Sequence, residues 1–391
     1  MKPLNDALRQ AMRRIGTGDL RAATAGLLRD LTGDRPPPAG DVGHPRPVPA
    51  RDACGRAGPP PVIEGQWRVV EPADRNATSP EDRIGPSRER RRAPPSETAE
   101  RAFRTLNFSC EAGSVDYKLY VPDGLETRGA PLLLMLHGCT QSPEDFARGT
   151  RMNALALERG FVVAYPEQAS DRNPNRCWSW FRPGDQKRGQ GEPALLAALT
   201  QHLTRVHRLD DRRVFVAGLS AGGAMAAVLA HAYPDIFAAM GVHSGLPVGA
   251  AHDVASAFTA MRQGRSVAAQ GGARAGTATA RAIVFHGDRD ATVHPSNGYD
   301  VIAQILDSDT AAGSARTDTP ERGVSNGGRR YTRIVHRRAD DTVGAEHWII
   351  EGAGHAWSGG DPAGSFTDAA GPDASQEMLR FFSDGDRLRR R

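Results

Sequence analysis

The chain has 391 residues, 39% of them hydrophobic, and a formal net charge of +4 at pH 7, so it can build one large domain with appendages or two of ordinary size. No apolar run approaches the length of a membrane span, and no transmembrane segment is expected. The basic excess sits in "RERRRAPP" (88–95) and the terminal "RLRRR" (387–391), which read as solvated runs and not as a nucleic-acid-binding face with interleaved aromatics.

At the front, Leu4, Leu8, Met12 and Ile15 recur at helical spacing, and Asp19 opens a second pattern through Leu20, Leu27, Leu28 and Leu31 to Gly33. Residues 1–33 therefore read as an amphipathic helical segment, which either docks on protein or adsorbs to a hydrophobic surface such as a polymer granule. Polar and charged residues interrupt it every few positions, so no secretory signal peptide is expected and the cytoplasm is the favoured compartment. Residues 34–100 are rich in proline, glycine and charge and bury too little to offset their ordering entropy, which predicts a disordered linker.

From 101 to 385 the pattern alternates. "AFRTLNFSC" and "VDYKLYVP" read as paired opening strands, and "PLLLMLHG" (131–138) as a strand covered on both faces. A helix through "EDFARGTRMNALALERG", a strand at "FVVAYPE" and a long helix at "GEPALLAALTQHLTRVHRL" lead to the strand "RRVFVAGLS". Helix "GGAMAAVLAHAYP", strands "FAAMGVHSG" and "RAIVFHGDRD", helix "SNGYDVIAQIL", strand "EHWIIEGAGH" and helix "ASQEMLRFF" complete the series. Residues 308–330 read as a surface insertion, and 386–391 as a basic tail. Alternating strands and helices predict an α/β layer with a mostly parallel sheet and helices on both faces. Ligand sites in such sheets lie at the carboxyl ends of the strands.

In "GLSAG" (218–222) two glycines flank Ser220 between a strand and a helix, as a very tight turn presenting the hydroxyl requires. A plain helix N-cap would also use serine, but both glycines would then be surplus. A nucleophilic serine needs a base and an acid to orient it. Asp290 follows one strand and His355 another, in the order acid then histidine. Asp288 competes for the acid role, and His243 and His347 for the base; His347 precedes its strand, while His243 at a strand end is expected to line the pocket. An oxyanion would be held by the N–H groups of Ala221 and of Cys139 in "LHGCTQ", the Cys139 thiol being incidental or a structural element. Four cysteines without a CxxC pair exclude a disulfide scaffold and a zinc site, and Cys139–Cys177 is the first pairing to test because both flank the expected active-site loops. No metal or organic cofactor is required by this chemistry.

The stretches "LHGCTQSPEDFARGTRMNALALERGFVVAYPEQ", "CWSWF", "GLSAGGAMAAVLAHAYPDIFAAMGVHSG", "HGDRDATVHPSN" and "GAGHAWSGG" resemble the polyhydroxybutyrate depolymerase family of esterases, grouped with feruloyl and acetylxylan esterases, over about 105–382. The resemblance implies an α/β-hydrolase fold, Ser220 as nucleophile, Asp290 as acid, His355 as base, and the "HGC" turn as oxyanion loop; it suggests that Trp178 and Trp180 flank a substrate groove, although tryptophans in such a motif also serve as core anchors. It implies hydrolysis of poly- or oligo(3-hydroxyalkanoate), with a small-molecule carboxylesterase as alternative. A non-catalytic granule-binding protein on a hydrolase scaffold is the rival of another class. Many members of the family are secreted, which keeps an extracellular location open.

Overall fold

Five-residue runs that are apolar at every position cannot show one face to water, so they must sit in the middle of a covered sheet. The computed structural model, which describes residues 66–69, 103–264, 280–311 and 316–389, places them there. β4 (Leu132–Leu136), β5 (Val162–Pro166), β6 (Val214–Leu219) and β7 (Ala239–His243) are buried throughout, and β8 (Arg281–Gly287) is buried after its first residue. With β11 (Val343–Ile350) they form the parallel centre of an eleven-stranded sheet in the order β1-β2-β3-β5-β4-β6-β7-β8-β11-β10-β9.

The flanks are antiparallel. β2 (Phe103–Cys110) and β3 (Gly113–Tyr120) pair as the sequence predicts. β1 (Gln66–Val69) extends this flank from inside the stretch expected to be linker, pairing Trp67 with Phe108. Residues 1–33 and the rest of 34–100 lie outside the described residues. On the other flank, β9 (Arg316–Val324) and β10 (Arg330–Arg338) replace most of the expected insertion with a hairpin. β9 is an outer edge strand carrying Pro320 and several charges, a composition that blunts edges and also hides the strand from pattern reading.

Side-chain alternation along the strands splits the core in two. Leu132, Leu134, Leu136, Val214 and Val216 face one layer, formed by α3 (Gly191–Val206), α4 (Ala221–Ala232), α5 (Val254–Gln263) and α6 (Ser296–Ala311). Leu133, Met135, Phe215, Ala217 and Leu219 face the other, formed by α1 (Pro143–Thr150), α2 (Met152–Arg159) and α7 (Ala374–Arg389). Three differences from the sequence reading stand out. The single helix expected over 144–160 is broken at Arg151, whose φ of 54° is left-handed. α5 lies in a stretch with no assigned helix, and α7 continues to Arg389, into the expected tail. Among the described residues, no helix is long and apolar enough to cross a membrane.

Candidate active site

The site begins with a backbone corner. β6 stops at Leu219, α4 starts at Ala221, and Ser220 between them has φ 58° and ψ −120°, a conformation that L-residues rarely hold. Its hydroxyl makes no capping bond to α4, so the N-cap reading fails. Ser220 N–H is held by the carbonyl of His243 at 2.9 Å. The flanking glycines are steric necessities: a Cβ on Gly222 would lie 2.1 Å from Leu136 O, and one on Gly218 would lie 2.4 Å from Gly222 carbonyl atoms. Gly222→Ala therefore forces α4 away from β4, and we expect it to cost about 3 kcal/mol or prevent folding. A thermal melt unchanged from wild type would remove this account of the corner.

Asp290 and His355 come from loops after β8 and β11, at the same carboxyl end of the sheet. His355 Nδ1 donates to Asp290 Oδ2 at 2.7 Å, leaving Nε2 as the basic nitrogen. Asp290 Oδ1 accepts from the N–H groups of Thr292 (2.9 Å) and Val293 (2.8 Å). Burial pushes the Asp290 carboxyl up, but contacts with His286 and His355 and the Val293 N–H outweigh it and hold the group well below the usual carboxylate range. Asp288, the other candidate acid, is engaged elsewhere: its Oδ1 takes the Gly352 N–H at 2.6 Å and so ties the two loops together. Arg289 N–H to Ala353 O, at 3.0 Å, adds a second stitch.

His243, expected to line the pocket, is fully buried. Its Nε2 accepts the Ser358 N–H at 2.9 Å, and its ring stacks on Phe285 and Trp357, which makes it a rivet between the Ser220 corner and the histidine loop. His347 lies within β11 and not before it, buried beneath Tyr299. Trp178 and Trp180, expected either to flank a groove or to anchor the core, are buried at 1% and 5% exposure. The Trp178 indole N–H is spent on His137 O at 3.1 Å, a bond that an exposed ring would not need.

The "HGC" turn is built as an amide platform beside Ser220. Gly138 N–H goes to Gln141 Oε1 (2.9 Å) and Thr140 N–H to Asn175 O (2.7 Å), with Cys139 between them. Cys139 is disulfide-bonded to Cys177, so its sulfur is not incidental: it staples the turn to the "CWSWF" segment. Two supports escaped the sequence reading although both lie in the quoted "LHGCTQ". His137 accepts Gln168 N–H at Nε2 (3.1 Å) and faces Gly138 O through Nδ1 (2.8 Å). Gln141, besides holding Gly138, donates to Asp145 Oδ2 (3.1 Å) and Ser365 O (3.1 Å). A cavity of about 210 Å³ lined by Trp178 together with Asp116, Glu167, Arg172 and Glu192 includes none of Ser220, Asp290 or His355.

Burial keeps three of these histidines neutral: His137 is lowered to about 4, His347 to about 3, and His243 well below the usual value. In the unfolded chain each titrates near 6.5, so below that pH the unfolded state binds more protons and stability rises with pH. The urea midpoint should be level above about pH 7 and fall steadily from about pH 6.5 towards pH 4. A midpoint that holds or rises over that interval would contradict burial of the neutral rings.

Comparison with known proteins places this geometry in context. The chain is 35% identical over 257 residues to a poly(3-hydroxyalkanoate) depolymerase C of Paucimonas lemoignei, covering 64% of this chain and 60% of that protein. It is 34% identical over 151 residues to a feruloyl esterase B of Thermothelomyces thermophilus, covering 38% and 50%. The chain thus spans less than two thirds of either relative. An acetyl xylan esterase structure from Aspergillus awamori shares the fold, with a TM-score of 0.53 at 20% identity over 69% of this chain and 94% of that one. Residues 115–322, more than half of the chain, match the family described as "Esterase PHB depolymerase", and the chain belongs to that family.

Proposed function

We propose that the protein is a serine-dependent carboxylic ester hydrolase. The observation that carries this is the carboxylate-bound His355, set at the same end of the sheet as the strained Ser220 corner. Ser220 Oγ attacks the ester carbonyl while His355 Nε2 takes its proton, and Asp290 holds the imidazole tautomer and steadies its positive charge. The N–H groups of Ala221 and Cys139 stabilise the oxyanion. The leaving alcohol takes the proton back from His355, and water then releases the acyl group by the reverse path.

Poly- or oligo(3-hydroxyalkanoate) is the preferred substrate class, on the strength of the Paucimonas lemoignei relative. The feruloyl esterase similarity supports a small ester as the second reading. The Cys139–Cys177 bond favours an oxidising compartment over the cytoplasm expected from the sequence. Adsorption to a polymer surface through residues 1–33 rests on their leucine spacing alone. Hydroxybutyrate oligomers, nitrophenyl esters and feruloyl esters offered side by side, with Ser220→Ala as control, decide among these. A folded wild-type sample that hydrolyses none of them and takes no fluorophosphonate on Ser220 would leave only the scaffold reading.

A further inference from the structure

Most large apolar side chains around the site are buried, and Phe366 is not: it is 45% exposed. It also has φ 52°, a left-handed conformation that a bulky residue adopts only where its surroundings impose it, and such outliers gather at binding sites. The surroundings do impose it. Phe366 O accepts the Trp357 N–H at 2.6 Å, two residues after His355. The preceding Ser365 is held from the other side: its N–H donates to Asp145 Oδ1 at 3.0 Å, its hydroxyl to Asp145 Oδ2, and its carbonyl accepts from Gln141 Nε2 at 3.1 Å. Gln141 is the residue that fixes Gly138 in the "HGC" turn. The segment is therefore anchored at once to the histidine loop and to the amide platform. The ring it presents stands edge-on to the His355 ring with centroids 6.5 Å apart.

We infer that Phe366 is a specificity-determining residue, the apolar wall against which the alcohol portion of the ester packs. The inference rests on the ester-hydrolase reading above. In that chemistry His355 returns its proton to the leaving alcohol, so the alcohol side of the scissile bond must lie beside the imidazole. A rigidly held, solvent-exposed aromatic at that place buries its face only when an apolar alcohol group arrives. For a polyester the group would be the next hydroxyalkanoate unit, and for a small ester its alkyl or aryl alcohol.

Two esters with the same acyl group, one of methanol and one of a bulky apolar alcohol, read the effect. Phe366→Gly deletes the ring while suiting the left-handed backbone, and Phe366→Leu keeps an apolar side chain. We expect Phe366→Gly to lower kcat/KM about ten- to a hundredfold for the bulky ester, mainly through KM, and no more than about twofold for the methyl ester. Phe366→Leu should recover most of the loss. Equal losses on both esters, or no loss on either, overturn the inference. If instead wild type takes no fluorophosphonate on Ser220, the hydrolase reading fails, and the inference with it.

Discussion

Ser220→Ala should lower kcat on any ester that the protein hydrolyses by about a million-fold while leaving KM and the melting temperature close to wild type. The hydroxyl is the only group lost. It makes no capping bond whose removal would loosen α4, and alanine occupies the left-handed corner at much the same backbone cost as serine. What remains is the background supplied by the amide platform and by binding, on the order of 1,000-fold over water. Labelling by a fluorophosphonate should vanish in the same variant. A rate within about tenfold of wild type would mean that another nucleophile does the work, because no oxyanion site alone sustains such turnover.

Asp290→Asn is expected to lower kcat by about 10,000-fold with the fold intact. The amide that replaces the carboxylate can turn its NH₂ towards His355 Nδ1. That places the imidazole proton on Nε2, where a base is needed, and leaves the imidazolium of the transition state without its counter-charge. Asp288→Asn should cost no more than about tenfold, since among the described residues its carboxyl accepts a backbone N–H from Gly352, which an amide oxygen serves as well. Equal losses in the two variants would show that both carboxylates act only by tying loops together. The pH dependence has a definite sign. A carboxyl held below its unfolded value of about 3.9 contributes stability above that pH and loses it as the solution is acidified further. Any stability gap between wild type and Asp290→Asn should therefore be constant above about pH 5 and close below about pH 4.

The legibility of this site follows from where each residue's constraint lies. The Ser220 corner is local: a buried strand, two glycines that cannot carry a Cβ and a small-residue helix are consecutive in the chain, so the pattern shows in twelve letters. Asp290 and His355 are likewise announced by the apolar strands before them. The rivets are different. His243, His137 and Gln141 act through residues between 3 and 115 positions away, and nothing in their own neighbours distinguishes a buried acceptor from a pocket wall. The same holds for Trp178, whose partner His137 lies 41 positions earlier.

Strand β9 was hidden for a related reason, because an edge strand rich in charge has no apolar alternation to betray it. The order of the motifs along the chain, their hydrophobic periods and the two obligatory glycines determined the fold class and the family and singled out Ser220, Asp290 and His355 as the candidate residues. Only the tertiary structure set Asp290 against His355 and Asp288 against Gly352, buried the side chains of two tryptophans and His243, joined Cys139 to Cys177 and left the ring of Phe366 facing solvent beside His355. These outcomes depend on which loops meet at the carboxyl ends of the strands. That meeting is set by the order of strands in the sheet, which no local run of residues encodes.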